Sequence, residues 1–271
     1  AIAYGEYAQA TGSDEYADKA RRAFQAFVNH STCDQPKFTN VRPTKSIGGP
    51  MITIGCAQQL REAIDLPEAT QRIDRAIDEI RRDFVKPDIA CVMETVGSSG
   101  EMIDHFDGRM LNPGHAIEAA WFIMREGQIR EDASLVRLGA EMLDWTWRRG
   151  WDEEFGGILY FVDVKGLPVQ EYWHDMKFWW PHNEAIIATL LAFELTGDPK
   201  YAGWHADVHD WAHRHFADRE HGEWYGYLHR DGRISVPLKG NLWKGPFHLP
   251  RMQLICWQIA DRLRERATET P

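Results

Sequence analysis

Apolar residues recur at spacings of three and four along almost the whole chain, the period of an amphipathic helix. Between Asp14 and Val28, the residues Tyr16, Ala20, Ala23, Phe24 and Phe27 share one face, with Ser13 or Asp14 as the cap. The spacing predicts further helices over Pro50–Ile64, Pro67–Phe84, Gly114–Arg125, Asp132–Arg149, Pro181–Thr196, Pro199–Phe216 and Pro250–Arg266. In the second of these, Ile73, Ile77 and Ile80 form the stripe, Pro67 suits the first turn and Pro87 ends the run. Strand signal is confined to Ile89–Val96, Ile158–Val164 and Glu223–Leu228, the last followed by the turn Arg230-Asp231-Gly232. Such short runs read as hairpins hung on helices. No Ser- or Pro-rich linker divides the chain, so residues 1–271 are expected to form a single domain.

Two internal echoes sharpen the fold. Thr11-Gly12-Ser13-Asp14-Glu15-Tyr16-Ala17 returns as Thr196-Gly197-Asp198-Pro199-Lys200-Tyr201-Ala202. In both, an apolar helix ends at glycine and another begins within a few residues, which describes an αα-hairpin. Asp152-Glu153-Glu154-Phe155-Gly156 likewise returns as Asp218-Arg219-Glu220-His221-Gly222, after an aromatic helix and before an aromatic β-like run. Hairpins joined by alternating short and long loops predict an all-α toroid of two concentric helical layers. The helix starts at Gly114, Pro181 and Pro250 are expected to face one central cleft.

Charge and cysteine usage narrow the partners. Against 31 Lys and Arg there are 41 Asp and Glu, a formal net charge of −10. That balance disfavours nucleic acid or an anionic membrane as the main partner. No apolar run approaches the roughly 20 residues of a membrane span. The opening Ala1-Ile2-Ala3-Tyr4-Gly5-Glu6-Tyr7 has no signal-peptide pattern and no initiator Met, so it is expected to lie inside a longer protein. Cys33, Cys56, Cys91 and Cys256 form no C-x-x-C pair and read as reduced, partly buried thiols of a cytoplasmic protein. The 12 Trp, 8 Tyr and 12 Phe suit carbohydrate-binding faces and large helical cores alike.

Three segments can carry chemistry. In Arg109-Met110-Leu111-Asn112-Pro113-Gly114-His115-Ala116-Ile117-Glu118, Pro-Gly opens a helix and puts His115 in its first turn. Glu118, three residues on, can orient the imidazole, and Arg109 can add a positive charge. The bland reading is a capped histidine with an ordinary first-turn acid. In Lys177-Phe178-Trp179-Trp180-Pro181-His182-Asn183-Glu184, an acid follows paired tryptophans on an apolar helix, a costly placement unless used. A helix-start carboxylate beside packed indoles is the plainer account. In Asn241-Leu242-Trp243-Lys244-Gly245-Pro246-Phe247-His248-Leu249-Pro250-Arg251, Lys244 and Arg251 bracket His248 with positive charge, which favours a neutral base. A surface loop with a basic rim is the alternative. His205, His209 and His213 repeat at i, i+4 and i+8 and could clip zinc, but Asp207, Asp210 and Arg214 suggest a solvated face, and no metal is assigned. No G-x-G-x-x-G, P-loop or G-x-S-x-G is present.

Taken together, these segments resemble the N-acylglucosamine 2-epimerase (renin-binding protein) family. The matching stretches are Asn112–Phe122, Met176–Ala185, Gly222–Leu228 and Trp243–Arg251, in family order and over essentially the whole chain. The resemblance implies an (α/α)6 barrel that here lacks its N-terminal helices and their active-site arginine. It also implies an isomerase that interconverts N-acetyl-D-glucosamine and N-acetyl-D-mannosamine by abstracting and returning the C2 proton. His248 and His115 are implied as the acid/base pair. Arg109 and Arg251 would hold the oxyanion and hydroxyls, Glu118 and Glu184 would orient a histidine or bind hydroxyls, and Trp180 would cover a sugar face. No metal or nicotinamide is required. ATP activates some members, and no nucleotide pattern here supports or excludes it; a homodimer is equally open. The aldose–ketose isomerase branch carries a histidine in the segment matching Ile47-Gly48-Gly49-Pro50-Met51, which has none here. The cellobiose branch usually has Tyr where this chain has Phe247. Both departures favour the 2-epimerase branch. An α/α-barrel glycosidase using Glu118 and Glu184, whose carboxylates would stand about 5 to 9.5 Å apart, remains open. So does a non-catalytic sugar- or protein-binding module.

Overall fold

The computed structural model describes residues 1–31 and 43–269, so Cys33 lies outside the described residues. Ten helices are described: α1 Ile2–Thr11, α2 Asp14–Ser31, α3 Gly48–Ile64, α4 Ala69–Glu79, α5 Phe106–Arg109, α6 Pro113–Ile129, α7 Ala133–Gly150, α8 Trp179–Thr196, α9 Pro199–His215 and α10 His248–Glu269. Strands among the described residues are two or three residues long and pair only as small antiparallel hairpins or ladders. The toroid reading holds.

The layers follow from how apolar each helix is around its circumference. In α8, 14 of 18 residues are buried, and in α6, 13 of 17. Helices that are apolar all round belong inside. By contrast α9 buries only Tyr201, Val208, Trp211 and Ala212, a single stripe. Contacts run α1–α3–α6–α8–α10 through the inner series, while α2, α4, α7 and α9 pack outside as the hairpin partners of α1, α3, α6 and α8.

Both sequence echoes have one physical basis each. Gly12 and Gly197 end α1 and α8 in the left-handed conformation (φ 69° and 68°), each returning its N–H to a carbonyl four residues back. Asp152 and Asp218 each build an Asx turn. Asp152 accepts the N–H groups of Glu154 and Phe155 at 3.1 and 3.3 Å; Asp218 accepts those of Glu220 and His221 at 2.9 and 3.1 Å. Gly156 and Gly222 then take φ of 70° and 72°, and bridges Trp151–Ile158 and Ala217–Trp224 close equivalent loops.

Several boundaries differ from the spacing. Pro67 precedes α4 instead of opening it, and beyond Glu79 the helix widens into a π turn over Ile80–Phe84. Helices α8 and α10 start two residues before Pro181 and Pro250, which puts each proline in a first turn where no N–H is needed. The run Ile89–Val96 divides into Cys91–Val92, paired with Val85–Lys86, and Thr95–Gly97, paired with Thr44–Ser46. The single-turn α5 has no signal in the spacing.

Candidate active site

The starts of α6, α8 and α10 converge on a cavity of about 660 Å3. His115, Glu118, Trp180 and His248 line it, with Tyr160, Phe178, Trp179 and Tyr227 as walls and Trp173, Trp243 and Phe247 among the other aromatic lining residues. Asn112 caps α6 by accepting the His115 N–H at 3.2 Å, and Pro113 supplies the first helical position. The Trp180 indole packs against both imidazoles, its ring 5.1 Å from His115 and 5.7 Å from His248.

The two histidines are held alike by different acids. His248 Nδ1 lies 2.7 Å from Glu184. His115 Nδ1 lies 3.0 and 3.1 Å from the two carboxylate oxygens of Glu94. A carboxylate can only accept, so Nδ1 carries the proton in each neutral ring and Nε2 carries the lone pair. Burial alone would pull His115 below the usual histidine range, but the charge and hydrogen bond of Glu94, helped by Glu118, raise it above. Glu94 is itself fixed: the Ser46 hydroxyl donates to its carboxylate at 3.2 Å, and the Ile47 N–H donates to its carbonyl at 3.0 Å.

Glu184 is fully buried and accepts three donors: His248 Nδ1, Arg251 Nη2 at 2.7 Å and the Trp121 indole N–H at 2.8 Å. Although burial would raise its carboxyl, Arg251 and His248 hold it down at about 2. Arg251 Nη2 also reaches Glu118 at 2.6 Å. Burial and the neighbouring Glu184 charge push Glu118 up. Ligand atoms of Glu118, Glu184 and His248 lie within 4.8 Å of one another, the one such trio among the described residues. Arg251 already bonds to both carboxylates, so a divalent cation there would have to displace its half-buried guanidinium.

Three sequence expectations change. Glu118 does not orient His115; its carboxylate goes to Arg251, and Glu94 takes the histidine. Side chains lean toward a helix's N-terminus, so His115 projects off the end of α6 while Glu118 turns inward one turn below. Arg109 is not among the residues lining the cavity. The strand Met110–Leu111 pairs with Val162–Asp163, and Arg109 bonds Asp163 at 3.0 Å and Asp104 at 3.1 Å. Lys244 does not bracket His248, since its ammonium donates to Glu223 and to the Lys239 carbonyl, both at 2.9 Å. His182, beside Glu184 in sequence, is structural. Its Nδ1–H donates to the Phe178 carbonyl at 2.7 Å, its Nε2 accepts the Ile158 N–H at 2.9 Å, and burial pushes it down to about 3. Sequence reasoning missed Glu94 and Trp121; the second shares a helix face with Glu118, three residues earlier, and so was open to discovery.

Two outcomes follow from this packing. An alanine Cβ at Gly114 would stand 2.5 Å from Trp180 Cη2 and 3.0 Å from Pro181 Cγ. Gly114→Ala is therefore expected to push the indole out of its place against the imidazoles, costing about 1–3 kcal/mol of stability. A thermal melt unchanged from wild type would refute that reading. Glu94→Gln removes the charge that raises His115, so the alkaline limb of any rate that needs protonated His115 should move to lower pH. A pH–rate profile that does not move would show that Glu94 only packs there.

Comparison with known proteins places this geometry. The family model described as N-acylglucosamine 2-epimerase matches residues 60–248. The N-acylglucosamine 2-epimerase of Bos taurus is 34% identical over 278 residues, covering 98% of this chain and 64% of its own length. That of Mus musculus is 32% identical over 285 residues, with coverages of 100% and 66%. The chain thus spans about two-thirds of the length of these curated relatives. The cellobiose 2-epimerase structure from Spirochaeta thermophila superposes with a TM-score of 0.80 at 18% identity, over 97% of this chain and 69% of that one. At that identity the likeness speaks for a shared α/α-barrel fold. With the family model spanning most of its residues and the four matching segments meeting in one cleft, the chain belongs to the N-acylglucosamine 2-epimerase family.

Proposed function

We propose that the chain is a sugar 2-epimerase interconverting N-acetyl-D-glucosamine and N-acetyl-D-mannosamine. Inversion at C2 requires the open-chain sugar, removal of the proton α to the C1 carbonyl, and its return to the opposite face. One base and one acid must therefore stand on the two sides of C2. The observation that supports this reading most is the pair of imidazoles, His115 and His248, lining one cavity with Trp180 in contact with both. Each presents a carboxylate-anchored ring, so each can take a proton at Nε2 or give one back. A proton arriving on His248 meets the charge of Glu184 through Nδ1. Arg251 is fixed by the two glutamates close to His248, 3.4 Å from its Nδ1, and supplies the site's permanent positive charge. The Trp180 face and the aromatic walls suit the apolar faces of a sugar ring. A proton leaves and returns at one carbon with no net electron transfer, so the chemistry calls for no redox cofactor.

Incubation with N-acetyl-D-glucosamine in deuterated water tests the proposal. Deuterium should enter C2 as N-acetyl-D-mannosamine forms. Release of reducing ends from oligosaccharides without C2 exchange would instead favour a glycosidase built on Glu118 and Glu184. Neither signal, with sugar nonetheless bound, would leave a binding module.

A further inference from the structure

Helix α9 carries His205, His209 and His213 on the outer layer, none of them lining the catalytic cavity. The three rings form a column, with centroids 5.7 Å apart for His205 and His209 and 4.0 Å apart for His209 and His213. Each Nδ1 has beside it an oxygen that can only accept. For His213 it is the His209 carbonyl at 2.9 Å, for His209 the Asp210 carboxylate at 3.3 Å, and for His205 the Ile186 carbonyl at 3.1 Å, with the Thr189 hydroxyl farther off at 3.4 Å. Nδ1 therefore bears the hydrogen in each neutral ring, and the lone pair is on Nε2. Metal-ligating histidines are tied in this same way, one nitrogen donating to a carbonyl or carboxylate and the other free for the ion.

We propose that His209 and His213 form a two-histidine clip for one divalent transition-metal ion of the zinc or nickel kind, with water completing the coordination. Two imidazole nitrogens at about 2.0–2.1 Å from a tetrahedral ion stand roughly 3.3 Å apart. Rings 4.0 Å apart and tilted by 30° reach that spacing with small rotations. The wider gap to His205 keeps that ring off the same ion. Imidazole donors select zinc, nickel and copper over magnesium and calcium, which take oxygen ligands. The clip is independent of the cleft and of its proposed reaction.

The test is a calorimetric titration of the whole chain with zinc chloride and, separately, magnesium chloride in a non-chelating buffer. Zinc should bind, one equivalent should vanish in His209→Asn and in His213→Asn, and His205→Asn should keep it. Magnesium should give no heat. Absence of zinc binding, or an undiminished titration in His209→Asn, would overturn the clip; the latter would move attention to Glu118, Glu184 and His248. One equivalent of Cu2+ added to the wild-type chain supplies a check that needs no variant. Its paramagnetic resonance spectrum should show coupling to two nitrogens, and coupling to none or to one would likewise overturn the assignment.

Discussion

Asparagine in place of His248 is expected to lower kcat for 2-epimerisation by about 100-fold or more, the usual loss for a positioned acid or base. Asparagine keeps a hydrogen-bonding group near Glu184 but cannot carry a proton between C2 and solvent. The same change at His115 should cost a similar factor, because its Nδ1 is anchored just as firmly, by Glu94. The two variants should nevertheless differ. In the proposed mechanism each imidazole serves one face of C2, so one variant should lose C2 proton exchange from the gluco epimer and the other from the manno epimer. Exchange followed by proton magnetic resonance in deuterated water reads this directly, while circular dichroism checks that the toroid is intact. Near-normal turnover and two-way exchange in His248→Asn would end the two-histidine reading. Glu118, which lines the cavity and whose carboxyl is pushed up, would then be the leading base.

Much of this arrangement was legible because it depends on local rules. Glycine at a left-handed helix end and an aspartate turn recur wherever a hairpin or its loop recurs, so the echoes at Gly12 and Gly197, and at Asp152 and Asp218, disclosed the toroid. Proline near a helix start marked where α6, α8 and α10 begin, and those starts carry His115, Trp180, Glu184 and His248. What stayed hidden depends on pairing between distant segments. Glu94 precedes His115 by 21 residues and reaches it only because the Thr95–Gly97 strand pairs with Thr44–Ser46. Arg109 looked available for the same reason in reverse, since nothing local shows that Asp163 will lie beside it across a two-residue ladder. Helical spacing placed Glu118 on the face of His115. It could not show that the side chain of Arg251, 133 residues on, would claim it.

Glu184→Gln should be the most damaging conservative change in the site, both for folding and for turnover. The carboxylate accepts from His248, Arg251 and Trp121 at once, and all of it is out of water. A glutamine amide has one accepting end, so at least one of these donors would face an NH2 group. Breaking a buried charge cluster by removing one partner typically costs about 3–5 kcal/mol. His248 would also lose the acceptor that fixes its Nδ1 proton, so kcat should fall along with stability. Glu118→Gln is the control. Glu118 also bonds Arg251, but burial and the adjacent Glu184 already push its carboxyl up, so losing its charge removes less. The pH dependence separates the two further. Glu184 is lowered from 4.5 to about 2, so its contribution is full above 4.5 and is lost as the pH falls from there through about 2. Melting temperatures of Glu184→Gln should therefore fall less steeply than wild type as the pH is taken below about 4.5. If the two variants matched in melting temperature and kcat at neutral pH, the three-donor grip on Glu184 would not be what positions His248.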